Sequence, residues 1–412
     1  MIIDRVMIQN GLLENLIRLD GIAKEDGRRY QLKRFIYAQL SSLLTETRQF
    51  VGIAGLRGTG KTILLRQLAA DLDQTFYISA DTLPTGTDLF DLSIRLADFY
   101  STKYIMLDEI HAIQGWQGQL KKIYDFSDIR IIFTSSSSLE LTESKHDLSR
   151  RLTLQALPLF SFREYLLFTK GAELPIITLD DLLVNHRQLY KKIYHFEPEF
   201  REFSFLGALP ACLQSPLPSV VTAIVDKVVQ KDMLTAGKLS QEDILNIRSV
   251  LLFIARAGVE GCSYSSVSQN LGITKYKAQQ YLSLMQSASL IKIILPYGAN
   301  VLPEPKILFA PALRVNLAQG SDHDRLIGAI REEFFIHHIC GAGLTVNYLK
   351  SMRGQKLPDY IVFLGERKII FEIGGPGKGV SQFKGVKEKE KHVLTQPGST
   401  KGIPLILTGF LW

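Results

Sequence analysis

Residues Gly55 to Thr62 read Gly-Leu-Arg-Gly-Thr-Gly-Lys-Thr, and this run constrains the chain more than any other part of it. Just upstream, Phe50-Val51-Gly52-Ile53-Ala54 is a short apolar segment of strand type, and just downstream Ile63 to Ala70 has helical spacing. The glycines let the backbone curl until successive N–H groups point inward, which builds a nest for an anion. The helix that follows adds the partial positive charge of its N-terminus. In this arrangement Gly55, Arg57, Gly58, Thr59 and Gly60 form the phosphate cradle. Lys61 reaches the outer phosphates, and the Thr62 hydroxyl ligates Mg2+. The expected ligands are ATP and Mg2+.

A second run, Tyr104-Ile105-Met106-Leu107-Asp108-Glu109, is apolar until it ends in two carboxylates. It reads as a buried parallel strand that delivers Asp108 to the sheet's carboxyl end, where ligands bind. Asp108 is then a metal aspartate, and Glu109 orients and polarises an attacking water as general base. A nucleotide switch without hydrolysis has no need of Glu109. A third apolar strand, Ile131-Ile132-Phe133-Thr134, runs into four serines, and Thr134 and Ser136 are candidates to touch the terminal phosphate or the water. Further on, Arg150-Arg151 precede Leu152-Thr153-Leu154, and Arg151 is a candidate finger for a neighbouring subunit's phosphate.

At 412 residues the chain exceeds what one core supports. With 46% hydrophobic and 22% charged residues it has an ordinary globular composition. No apolar run reaches the 18 or so residues of a membrane span. Three distant cysteines, Cys212, Cys262 and Cys340, point to a reducing compartment and no metal site, and the expected location is the cytoplasm. A net charge of +7 permits an anionic partner.

Strands alternate with helices from about 48 to 160, after a helical segment at Gln31 to Leu44, so the fold class is α/β with a parallel sheet around the phosphate loop. The expected division is 1–165 for this domain, 166–240 for a mostly helical lid or connector, 241–300 for a winged-helix module and 301–412 for a last α/β domain. The 241–300 reading rests on helices at Gln241 to Ala257, Ser263 to Leu271 and Thr274 to Gln286, the last capped by Thr274, before the strand Ser289 to Ile294. In such a module the third helix carries Lys275, Tyr276, Lys277, Gln279 and Gln280 toward DNA. In the last segment a helix at Leu326 to Ile339 precedes two strands, 358–363 and 368–373, joined by a short Gly-containing link as a hairpin. Pro358-Asp359 and Glu372 match the carboxylates of a PD-(D/E)xK nuclease, but Gly374 stands where its lysine belongs, and Lys378 is the nearest substitute. Residues 350 to 401 hold eleven Lys/Arg against five Asp/Glu, a basic segment suited to a phosphate backbone.

The order of these parts resembles the AAA-type P-loop ATPases of bacteria and archaea that carry a C-terminal winged helix and a PD-(D/E)xK-like domain of unknown function. The residues that carry the resemblance are the phosphate loop with Arg57 in its third place, Leu107-Asp108-Glu109-Ile110-His111, and Ser161-Phe162-Arg163-Glu164-Tyr165-Leu166. Gly207-Ala208-Leu209-Pro210 and Gly328 to Glu332 add weaker marks. The chain departs from the pattern at Ser135, where the family has Gly, and at Gly374. The resemblance implies ATP hydrolysis. The expected function is an oligomeric motor, a homo-oligomer with a hexamer as one form, that remodels or moves DNA through Lys275, Lys277 and the basic C-terminal segment. The alternatives are a nucleotide-gated switch acting on a protein partner and an ATP-regulated nuclease.

Overall fold

The computed structural model describes residues 2–135, 148, 150–215, 218–237, 239–298, 304–318, 323–349, 357–374, 383, 386–396 and 402–412. Ser136 and six basic residues of the C-terminal segment (Lys350, Arg353, Lys356, Lys378, Lys384 and Lys401) lie outside the described residues. The chain forms two compact units, Met1–Pro158 and Leu159–Trp412.

The first unit begins with α1 (Ile2–Arg29) and α2 (Tyr37–Glu46), then alternates β1 (Phe50–Ala54), α3 (Lys61–Asp71), β2 (Thr75–Ser79), α4 (Leu89–Tyr100), β3 (Tyr104–Asp108), α5 (Trp116–Phe126), β4 (Arg130–Ser135) and β5 (Leu152–Ala156). The strands form one sheet in the order β2-β3-β4-β1-β5. Every neighbouring pair is parallel. Short strands buried on both faces need apolar residues at odd and even positions alike, which is why they read as unbroken apolar runs. Phe50, Phe76, Ile78, Ile105, Leu107, Ile131 and Phe133 point to the face covered by α4 and α5. Val51, Ile53, Tyr77, Met106 and Ile132 point to the face covered by α2 and α3. Each fully buried side chain of this kind contributes about 1.5–3 kcal/mol. The helix expected from Gln31 starts later, at Tyr37. Arg34, Tyr30 and Leu32 are used instead in hydrogen bonds to the phosphate-loop region and to Gln67.

The second unit starts at the resemblance's Ser-Phe-x-Glu run, and the structure explains that run. Ser161 caps the helix Phe162–Lys170 and Glu164 closes the capping box. Phe162 is the hub of an aromatic core, with ring centroids 6.0 Å from Phe200, 5.5 Å from Phe203, 6.2 Å from Phe334 and 5.6 Å from Phe410. Helices Gln241–Arg256, Tyr264–Leu271 and Lys275–Ser287 follow, the last capped by the Thr274 hydroxyl, and then an antiparallel pair, β6 (Ile291–Ile294) and β7 (Lys306–Phe309). Arg314, fully buried, holds this region together. It pairs with Glu333 at 2.7 Å and donates to the carbonyls of Ile254, Ala255 and Ala257, which end the first of these helices. A mixed sheet completes the unit, with β8 (Thr345–Tyr348), β9 (Tyr360–Leu364), β10 (Arg367–Gly374), β11 (Glu390–Thr395) and β12 (Ile403–Pro404) in the order β12-β11-β10-β9-β8. The long helix His323–Gly341 packs on it, with Phe335 against Tyr360 and Phe371.

A buried histidine joins that helix to the aromatic hub. The Phe162 N–H donates to His338 Nε2 at 2.9 Å, so the ring proton is on Nδ1, which donates to the Phe334 carbonyl at 2.8 Å. Burial, and next the neighbouring His337, hold His338 well below its ordinary range. The folded unit therefore needs the neutral ring, whereas the unfolded chain takes up a proton near pH 6.5. Stability is complete above that pH and falls as the pH drops below it. Thermal melts at pH 7.5 and 5.5 are expected to show a lower midpoint in acid, and His338→Gln is expected to flatten that dependence. An equal pH slope in the variant would contradict the assignment.

Candidate functional site

The loop between β1 and α3 sits at the carboxyl edge of the first sheet. Gly58 and Gly60 adopt φ of 82° and 92°, the left-handed region that glycine enters freely. Gly55 is fixed by space rather than by φ: a Cβ there would lie 2.4 Å from the Leu157 carbonyl oxygen. The loop is held from below by Arg34, whose guanidinium donates to the carbonyls of Thr59 at 2.7 Å and Pro158 at 2.8 Å. Thr59, buried, turns its hydroxyl back onto the Leu56 carbonyl. Lys61 Nζ donates to the carbonyls of Gly55 at 2.7 Å and Leu56 at 3.1 Å, inside the curl of the loop. Thr62 follows in the first turn of α3, half-buried.

The strand order brings the next groups alongside. β4 lies between β3 and β1, and Thr134 of β4 pairs with Ile53 of β1 in the parallel register. The Thr134 hydroxyl donates to Asp108 Oδ1 and accepts the Glu109 N–H at 3.0 Å. Thr134 has no exposed surface and braces the two carboxylate residues. The second Asp108 oxygen accepts the Tyr77 hydroxyl at 3.0 Å. Burial, and next the Asp108 carboxylate, push the Tyr77 phenol above its ordinary range, so it stays a donor.

Glu109 has φ 53° and ψ 50°, a left-handed backbone that costs a non-glycine residue roughly 1–2 kcal/mol. The Thr134 bond to its N–H holds that conformation. One carboxylate oxygen lies 3.7 Å from Arg57 Nη1. The other, buried, lies 3.2 Å from His111 Nδ1 yet makes no hydrogen bond among the described residues. Ser135, the departure from the resemblance's glycine, places its Oγ 3.4 Å from the same His111 nitrogen. Arg57, Glu109, His111 and Ser135 thus form one polar cluster beside the phosphate loop.

Arg151 is elsewhere. It precedes β5, at the amino edge of the sheet, and its guanidinium binds both oxygens of Asp125 at 2.9 and 3.0 Å with Tyr124 beneath it. It does not join its own subunit's loop. The arginine that the fold brings to Glu109 is Arg57. Sequence reasoning missed Tyr77 and Arg34. Tyr77 was visible only as one apolar position of a strand, and Arg34 as one basic residue within an expected helical segment.

The basic helix of the second unit is also more occupied than its sequence implies. Lys275 pairs with Glu304, and Lys277 lies 3.2 Å from Asp243. Burial pushes the Glu304 carboxyl up, but Lys275 and Ser265 outweigh it and hold it at about 2. Asp243 is held below its ordinary range by Tyr281, Ser240 and Lys277. Tyr276 remains exposed between the two pairs. In the C-terminal segment Arg367 binds Glu390 and Asp180. Asp359 stands just before β9 and Glu372 on β10, on adjacent strands. Asp359 accepts the Ile373 N–H at 2.8 Å, and Lys306 of β7 lies 3.2 Å from Glu332 and 3.5 Å from Asp359.

Residues 47–166 match a family described as an AAA domain, and residues 197–312 match a family described as a domain of unknown function. An uncharacterized protein of Methanocaldococcus jannaschii is 27% identical over 422 residues, which cover 92% of this chain and 86% of that protein. Among solved structures, a Walker-type ATPase of Pyrococcus abyssi is 12% identical with a TM-score of 0.44, covering 71% of this chain and 97% of its own. The ORC1 protein of Aeropyrum pernix, solved in complex with DNA, is 14% identical with a TM-score of 0.31, covering 70% and 93%.

Gly55→Ala tests the loop's closeness to Leu157. Overpacking of this kind costs about 1–3 kcal/mol. With that cost falling on the bound form, we expect nucleotide affinity, read by titration calorimetry, to fall about 5- to 150-fold, since each 1.4 kcal/mol is tenfold. An unchanged affinity would show that the loop can shift. In its first unit the chain is similar to AAA-type P-loop ATPases, in the loop sequence and in the matched segment alike.

Proposed function

We propose that this chain binds ATP with Mg2+ at the carboxyl edge of the first sheet and hydrolyses it there. The observation that carries this reading is the set of Lys61, Asp108 and Glu109, with Thr134 bonded to both carboxylate residues. The Thr62 hydroxyl and the Asp108 carboxylate are hard oxygen donors, the kind Mg2+ takes together with nucleotide phosphates. Bound Mg2+ would neutralise charge on the phosphates. Lys61 exchanges its contacts with the Gly55 and Leu56 carbonyls for phosphate oxygens. Glu109 accepts a proton from the water as its oxygen attacks the terminal phosphorus and ADP leaves. Arg57 supports developing negative charge on the same side, and its guanidinium also keeps the Glu109 carboxylate in place.

Two outcomes are expected in the full chain. Lys61→Ala loses ATP binding. Glu109→Gln binds ATP but hydrolyses it about 10²–10⁴-fold more slowly, the usual size of a general-base contribution. Normal turnover by Glu109→Gln would move the water-orienting role to another residue.

The partner is a separate matter. For a DNA-coupled homo-oligomer, Lys275 and Lys277 would have to leave Glu304 and Asp243 before they could neutralise phosphates, and this counts against that helix as the DNA-binding face. The same pairs favour the second reading, a nucleotide-gated switch whose exposed Tyr276 faces a protein. The nuclease reading has Asp359 and Glu372 on adjacent strands, but an ammonium group, Lys306, lies between Asp359 and Glu332. Arg151, bound to Asp125 at the far edge, can serve only a neighbouring subunit. We expect ATPase rates to be unmoved by single-stranded, duplex and branched DNA at two salt concentrations. Strong stimulation that weakens with salt would instead establish the DNA motor.

A further inference from the structure

The aspartate at the end of β3 is tied, through three side chains, to a helix that precedes the matched AAA segment. Asp108 Oδ2 accepts the Tyr77 hydroxyl at 3.0 Å. Tyr77 stands on β2, on the face covered by α3. The Arg66 guanidinium of α3 lies 5.6 Å from the centre of the Tyr77 ring. Arg66 Nη1 is in turn 2.6 Å from Asp26 of α1. At this level α1 and α3 touch through their backbones, because a Cβ on Gly27 would lie 2.2 Å from the Arg66 carbonyl oxygen. The same helix grips the Tyr77 backbone: Asp20 Oδ1 accepts the Tyr77 N–H at 2.8 Å, and Lys24 bonds both Asp20 and the Thr75 carbonyl at 2.8 Å.

We propose that Tyr77 is a positioning residue for the Mg2+ site and that α1 sets its position. The proposal rests on the ATP-hydrolysis reading above. A carboxylate at a strand end turns about its last bond unless both oxygens are held. Thr134 holds Oδ1 and Tyr77 holds Oδ2, each using one lone pair and leaving the others for the metal's shell. Removing one hydroxyl frees one oxygen and lets the group rotate away from its working orientation. Partners of metal-ligating carboxylates typically affect metal affinity or activity by about 10–100-fold. Asp26 and Arg66 act one step further out. They fix the side of the ring against which the phenol is held, while Asp20 fixes its backbone. In this arrangement the N-terminal helix controls metal affinity without touching the nucleotide.

The test uses the full chain, with Mn2+ as the spectroscopic probe. Mn2+ is titrated into protein saturated with a non-hydrolysable ATP analogue and read by electron paramagnetic resonance. Tyr77→Phe keeps the ring and removes only the hydroxyl. It is expected to weaken Mn2+ binding about tenfold or more. The Mg2+ concentration for half-maximal hydrolysis is expected to rise by the same factor, with metal-free nucleotide affinity unchanged. Asp26→Asn is expected to shift both in the same direction by less, and Arg95→Ala, in an exposed ion pair with Asp91 on α4, to shift neither. Wild-type Mn2+ affinity in Tyr77→Phe overturns the proposal, as does a lowered melting temperature with unchanged metal affinity, which would make the hydroxyl purely structural. Should Tyr77→Phe fail to fold, Asp26→Asn decides alone, and wild-type metal affinity in it overturns the role of α1. Failure of the unaltered chain to bind the nucleotide analogue overturns the hydrolysis reading itself, and with it this one.

Discussion

The site depends on the position of β1 in the sheet. Parallel pairing with β4 on one side and β5 on the other holds five residues of β1 rigid up to Ala54, and the Ala54 carbonyl then accepts the Leu157 N–H. The loop that follows cannot drift, because Gly55 is pressed against the Leu157 carbonyl. The same parallel arrangement aligns the carboxyl ends of β3 and β4 beside it, and Asp108, Glu109 and Thr134 arrive there without any local feature of their own directing them. In a parallel sheet all such ends face one edge, and the ligand-binding groups collect on it.

Within that edge, hydroxyl groups meet the oxygens of the buried carboxylate. Asp108 is nearly buried, a costly place for a carboxylate without partners. Two hydroxyls meet its two oxygens. Glu109 is treated differently: its backbone is bonded and strained, while one carboxylate oxygen lies 3.7 Å from Arg57 and the other, beside His111, makes no hydrogen bond among the described residues. A group held this way has less to give up when it takes a water as its partner. The second unit repeats the theme in its core, where Arg314 and Glu333 neutralise each other and Arg314 also ends a helix. Removing one member of a buried pair of this kind is costly, about 3–5 kcal/mol, because it leaves an uncompensated charge.

What could be read along the chain and what could not divide by the range of the interactions. The strands β1, β3 and β4 were legible because burial on both faces leaves an apolar run that ends abruptly in polar residues. The helix cap Thr274 acts over three residues and is equally local. The N-terminal helix was not legible. Its 28 residues are polar over much of their length, and it is held by Asp20, Lys24 and Asp26 against Tyr77, the Thr75 carbonyl and Arg66, partners some 40 to 57 residues away. Lys275 and Lys277 looked like a basic face because Glu304 is 29 and Asp243 is 34 residues distant, and sequence proximity does not show a neutralising partner.

The sequence by itself determined the chemistry of the loop. The glycine spacing, Lys61, Thr62 and the Asp108-Glu109 pair follow from backbone freedom and side-chain type over a few residues. The tertiary structure alone decided which groups serve that loop. It sent Arg151 to the far edge and Arg57 to Glu109, turned Thr134 onto Asp108, and brought Tyr77 and the N-terminal helix into the same network. The reason is the strand order: β2-β3-β4-β1-β5 is set by long-range packing of two buried faces, and no pattern along the chain encodes which strands become neighbours.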